Sequence, residues 1–125
     1  MSYPVILNSF RTRLAARLFS GVTFPKIGYI AFGNGGHNTD LTPKIVFPTQ
    51  TTLNNQLLVK PVTLSQPTVT SVIGSAVLST TELTSGVISE VALLDTDGNA
   101  IAIQNFNPIS KGTTELTIAL RINLL

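Results

Sequence analysis

Residues 86–106, GVISEVALLDTDGNAIAIQNF, constrain the fold more than any other stretch of this chain. Two runs rich in Val, Ile and Ala, Val87 to Leu94 and Ala100 to Phe106, flank Asp95-Thr96-Asp97-Gly98-Asn99. Asp and Asn side chains bond the main chain just ahead of them, and Gly and Asn tolerate positive φ, so the middle segment reverses a strand. The expectation is a β-hairpin closed by a type I′ or bulged turn. Glu90 interrupts the first run. It therefore either points out of the sheet or is buried with a partner such as an arginine or main-chain amides.

Only one segment has helical periodicity. From Asn8 or Ser9 as N-cap to Gly21 as the residue after the helix, Leu7, Phe10, Leu14 and Leu18 share one stripe. Arg11, Arg13 and Arg17 rim that stripe, and Phe19 lies on the opposite face. Beyond Gly21 the pattern is that of strands. Lys26 to Phe32 is apolar on both faces, Leu57 to Leu64 and Thr68 to Ile73 are β-branched runs, and Ala76 to Thr80 follows Gly74. Pro61 and Pro67 lack the amide of an interior position, which places their strands at an edge or a bulge. Pro43 and Pro48 bracket at most a short strand, Lys44 to Phe47. Thr114 to Leu124 alternates cleanly, with Leu116, Ile118, Leu120, Ile122 and Leu124 on one face. The predicted architecture is mainly β within the α+β class: one domain over 1–125, an antiparallel β-sandwich or rolled sheet with one N-terminal amphipathic helix over about 9–20.

Composition bears on how such a domain lives. Charged residues are 11% of the chain, against roughly 25% in an ordinary soluble domain, while 43% are hydrophobic and the mean hydropathy is +0.36. So few charges leave apolar or neutral surface exposed, which predicts a homo-oligomer or a subunit packed against other chains. Arg11, Arg13, Arg17, Lys26, Lys44 and Lys60 face only Asp40 in the first 60 residues, a balance of +5; Lys111 and Arg121 face Glu82, Glu90, Asp95, Asp97 and Glu115 in the rest, a balance of −3. No basic cluster is dense and no aromatics alternate with it, so no nucleic acid is expected. No apolar run approaches the ~18 residues of a span, and the N-terminus has no basic leader region, so the expectation is a soluble, unprocessed protein without a membrane partner.

Chemistry is sparsely provided. The chain has no cysteine and a single histidine, His37. Disulfides, thiolate metal sites and paired-histidine sites are thereby excluded. The Gly33-Asn34-Gly35-Gly36 loop matches neither GxGxxG nor GxxxxGK[ST], and HNTDLTP after it opens no helix that would meet an anion. Asp95, Asp97 and Asn99 alternate as a calcium loop begins, but Gly98 comes too early and Ala100 to Ile103 are apolar. The expectation is a non-enzyme with no cofactor and no metal.

Taken in order, IAFGNGG at 30–36, Leu53-Asn54-Asn55-Gln56 and ISEVALLDTDGNAIAI at 88–103 resemble the N-terminal domain of tail-fibre proteins of contractile-tailed bacteriophages. There an IAVGDG-type segment, a short polar segment and a REIGLFDxDGNLIAV-type hairpin follow at similar spacing; Glu90 matches the family's glutamate, and Ser89 replaces the arginine before it. The resemblance covers nearly the whole chain. It implies a structural virion protein of the tail and baseplate periphery, assembled in the host bacterial cytoplasm, with baseplate wedge and tail-fibre subunits as partners. In full-length fibres this domain is the attachment end. Since Leu125 follows directly on the last strand, the expected role is an adaptor joining fibres to the baseplate. Expected contact residues are Arg11, Arg13, Arg17 and Phe19 on the helix, Gly33, Asn34, Gly35, Gly36, His37 and Asn38 in the loop, and Leu57, Val59 and Pro61 on a Pro-marked strand. Two alternatives are a head–tail connector or tail-terminator protein, and a small carbohydrate-binding β module using Tyr29, Phe32, Asn34, His37 and Asn38.

Overall fold

The computed structural model describes residues 3–23 and 25–124; Met1, Ser2 and Leu125, the ends of the expected 1–125 domain, lie outside them, as does Phe24. The elements are β1 (Val5–Ile6), α1 (Asn8–Ser20), β2 (Ile27–Gly33), β3 (Gln56–Pro61), β4 (Thr63–Thr68), β5 (Ser71–Leu78), β6 (Ile88–Asp95), β7 (Ala100–Ile109) and β8 (Leu116–Asn123). They form two antiparallel sheets, one ordered β1-β7-β6-β2-β3 and the other β4-β5-β8. The protein is mainly β with one short helix, a sandwich-like α+β fold, as expected.

The five-stranded sheet is buried on both faces in its middle. Ile30 and Phe32 of β2 and Val91 and Leu93 of β6 pack against Ala76, Leu78, Leu120 and Ile122 of the smaller sheet. Ala31, Ala92, Leu94 and Ile103 on the reverse face are covered by Leu7 and by Val46 and Leu53 of the long β2–β3 connection. This two-sided cover is why β6 is buried along its whole length.

The hairpin closes as its turn residues require. Gly98 N–H donates to the Asp95 carbonyl at 3.0 Å, Gly98 has φ of 87°, and the Asp95 carboxylate accepts from the amides of Asp97 and Asn99, each at 2.9 Å. A register shift between Leu93 and Leu94 makes the turn a bulged one. Pro61 and Pro67 both lie on edge strands, and β4 has a register shift between Ser65 and Thr68.

Four details depart from expectation. The helix begins one residue earlier: Leu7, not Asn8 or Ser9, is the N-cap and makes no side-chain cap. Leu7 is fully buried and its N–H donates to the Ile101 carbonyl at 2.9 Å, so packing holds the chain extended up to that residue. Within the helix nothing is fully buried, and Leu18, expected in the core-facing stripe, is 80% exposed. The 57–64 run is not one strand; Val62 N–H donates to Gly28 O at 3.2 Å and the chain there passes from one sheet to the other. Thr68 to Ile73 is broken by a turn at Val69 and Thr70, whereas Gly74, read as a break, lies inside β5. Lys44 to Phe47, read as at most a short strand, is irregular, and the loop before it carries the isolated bridge between His37 and Pro43.

β8 keeps the predicted alternation, graded along its length: Leu120 and Ile122 are buried, Leu116 and Ile118 half-buried, and Thr117, Ala119, Arg121 and Asn123 exposed. Ile118→Asp should therefore cost about 2 kcal/mol and Thr117→Asp less than about 0.5 kcal/mol. Equal thermal midpoints for the two variants would mean that the assigned register is wrong.

Candidate functional site

The three segments that carry the resemblance are far apart in the chain and meet in space at Glu90. β6 shifts register between Ile88 and Glu90, and both Ser89 and Glu90 are completely buried. Glu90 Oε2 accepts from the main-chain N–H of Gly35 at 2.9 Å and of Asn55 at 2.8 Å, and Oε1 accepts from that of Asn54 at 2.8 Å. Ser89 Oγ accepts from Gly36 N–H at 2.9 Å and lies 2.8 Å from His37 Nδ1. Asn34 Oδ1 accepts from Asn55 Nδ2 at 2.6 Å. A carboxylate held by main-chain amides needs no cationic partner, because each charge-assisted bond is about twice as strong as a neutral one.

Close approach explains the glycines. A Cβ on Gly33 would lie 2.3 Å from Asn55 O and 2.5 Å from Glu90 Oε2, one on Gly35 2.8 Å from Asn54 Cβ, and one on Gly36 2.4 Å from Ser89 O. Gly33 to Gly36 thus form the wall of an internal carboxylate cup. Neighbouring Asn105 donates to Lys44 O at 3.0 Å, while its buried Oδ1 has no hydrogen-bond partner among the described residues.

The expected contact residues separate into three places. Arg11 donates to Ile6 O at 2.8 Å, and Arg17 donates to Gly21 O at 2.7 Å beyond the helix end. Arg13 pairs with the buried Asp95, tying the helix to the hairpin turn. Phe19, 94% exposed, is free of the core. In the loop, Gly33 and Gly36 are buried and Gly35 is part-buried, which leaves Asn38 and the 39–42 tip, where Asp40 accepts from Thr42, as its solvent side. Leu57, Val59 and Pro61 are exposed on edge strand β3, and Val59 and Pro61 sit opposite Ala31 and Tyr29 on the outward face. Tyr29 and Phe32 are not brought together: Phe32 is fully buried between the sheets. Sequence reasoning missed Tyr3, Ile45 and Phe47, all exposed; Tyr3 and Ile45 line a depression of about 340 Å³ with Lys44 and Val46. The only signal for Ile45 and Phe47 was the 44–47 run, which reads equally as a strand, and Tyr3 had none.

Charge at the helix–hairpin junction has a pH signature. Burial pushes the Asp95 carboxyl up, but the amide of Asn99, the Arg13 guanidinium and the amide of Asp97 together outweigh it and hold Asp95 below the usual carboxylate range. A depressed pKa contributes stability that is present above about pH 4 and lost as pH falls through the folded value. Asp95→Asn should therefore flatten the acid limb of a stability-versus-pH curve. An acid limb as steep as that of the unaltered chain would show that this carboxylate does not contribute to it.

Among the described residues no helix is long and apolar enough to cross a membrane, and no group of three His, Cys, Asp or Glu side chains is placed to hold a metal ion. No family model, no curated protein and no solved structure matches the chain.

Proposed function

We propose that this protein is a non-catalytic structural module of a phage virion, an adaptor at the tail and baseplate periphery that attaches tail fibres to baseplate subunits. The observation that carries the reading is the meeting of the 30–36, 53–56 and 88–103 segments around Glu90. Segments matched to a family only by their order along the chain turn out to be one buried hydrogen-bonded unit, as residues that jointly specify a fold must be. The exposed apolar side chains Phe19, Ile45, Phe47 and Val59, in a chain with so few charges, supply surface for protein partners. The edge strand β3 adds unpaired main-chain groups for strand addition.

The test is a phage particle assembled without this protein. It should build tail tube and sheath but lose its side fibres, so adsorption to the host falls while DNA packaging is unaffected. Normal fibre occupancy would defeat the adaptor reading. Failure of packaging would move the protein to the head–tail junction, and glycan binding by the isolated chain would favour a carbohydrate module.

A further inference from the structure

The smaller sheet ends on β8, whose outer edge has no strand beside it among the described residues. Along that edge the sandwich is open. A cleft of about 550 Å³ lies between the sheets, lined by Val91, Phe106 and Ile109 from the larger sheet and Leu116 and Ile118 from β8. The larger sheet, of five strands, extends past the three of the smaller one, with Phe106 and Ile109 of β7 at the cleft. This is where Leu116 and Ile118 are only half-buried, although Leu120 and Ile122 on the same face are buried. The smaller sheet is one strand too narrow to cover the larger one.

We propose that a second copy of this chain supplies that strand, β8 pairing antiparallel with β8 of the other copy about a two-fold axis through Ile118. Side chains directly opposite across an antiparallel pair share a face, so the sequence itself selects the register. About Ile118, Leu116 opposes Leu120 and Ile118 opposes itself on the inner face; Thr117 opposes Ala119 and Glu115 opposes Arg121 on the outer face. Each opposition but the central one occurs twice, giving two cross-strand ion pairs. About Ala119 the charges would miss: Glu115 would face Asn123, and Arg121 would face Thr117. The Ile118 register runs one continuous sheet through β4-β5-β8 and then β8-β5-β4 of the second copy. It carries the incoming apolar face over Phe106 and Ile109. Such an interface is isologous and closed, and it buries an edge that would otherwise template open-ended association. It uses none of the surfaces assigned to fibre attachment and stands whether or not that reading holds.

The experiment is sedimentation equilibrium on the full chain and three variants. The unaltered protein should be a dimer. Arg121→Glu and Glu115→Arg each set like charges opposite one another twice and should weaken dimerisation by about tenfold or more, while the double reversal restores it. Ile118→Cys, in a chain without cysteine, should form a disulfide-linked dimer with diamide as oxidant, and far faster than Ala119→Cys, which faces Thr117 in this register. A monomer up to about a millimolar, an oligomer indifferent to both single reversals, or equal cross-linking at 118 and 119 would each overturn the proposal. Thermal unfolding of each variant separates loss of pairing from loss of fold.

Discussion

Glu90→Ala is expected to lower stability by about 4 kcal/mol or more and the thermal midpoint by more than about 10 °C. The substitution leaves the amides of Gly35, Asn54 and Asn55 pointing at nothing. A buried donor left unsatisfied costs about 1–3 kcal/mol, and three such donors face one vacated space. Glu90→Gln provides the finer test. One amide oxygen can still serve Gly35 and Asn55 from the Oε2 position, but an –NH₂ then meets the Asn54 N–H, donor against donor. About half of the alanine effect should follow. Equal urea midpoints for Glu90→Gln and the unaltered chain would show that the amides do not depend on the carboxylate.

Gly36→Ala should be nearly as damaging, at about 3 kcal/mol or more, for a steric reason. The added methyl would stand 2.4 Å from Ser89 O and 2.7 Å from Asn105 Oδ1. The first atom is main chain of β6 at its register shift, one residue before Glu90, whose pairing with Gly33 of β2 and Asn105 of β7 a retreat would disturb. Gly21 is the contrast: its φ is 73° but a Cβ there would meet nothing within 4 Å. Gly21→Ala should cost about 1 kcal/mol, the ordinary cost of a left-handed alanine. If denaturant midpoints placed the two variants together, the cup would be looser than its distances state.

Elements whose signal is local were legible in the sequence. The hairpin announced itself through Asp95, Gly98 and Asn99, whose chemistry suits a reversal whatever surrounds it. β8 announced itself through strict alternation, and the edge placement of β3 and β4 through two prolines that cannot donate. Boundaries set by distant contacts were not legible. Nothing near Val62 marks a change of sheet, because the deciding partner is the Gly28 carbonyl. Val69, a β-branched residue, sits in a turn at 92% exposure, against its own preference. Gly74 reads as a break, yet it lies within a strand because Leu93 Cδ2 would be 2.5 Å from any Cβ there. For the candidate site, the sequence posed the choice for Glu90, outward or buried with an arginine or main-chain amides, and offered the loop glycines as partner contacts, not as the wall around that carboxylate. It could not pair the two, since the donors are main-chain groups that every residue type shares. The apolar surface at Tyr3, Ile45 and Phe47 depends on how the long β2–β3 connection folds back, which no local pattern encodes.

The carboxylate cup also orders events in time. Its bonds span 55, 36 and 35 residues of chain, so the glycine loop and the 53–55 segment have nothing to close upon until residue 90 has been made. A nascent chain carrying only β2 and β3 holds an unfinished sheet and a loop of unpaired amides. The local hairpin of β6 and β7 arrives afterwards, can form within microseconds, and brings the acceptor with it. Folding of the larger sheet therefore waits for the β6–β7 hairpin, late in the chain, to insert between strands made before it. That topology is slow by contact order, and it leaves the earlier strands exposed to neighbouring chains for as long as synthesis takes to reach the hairpin.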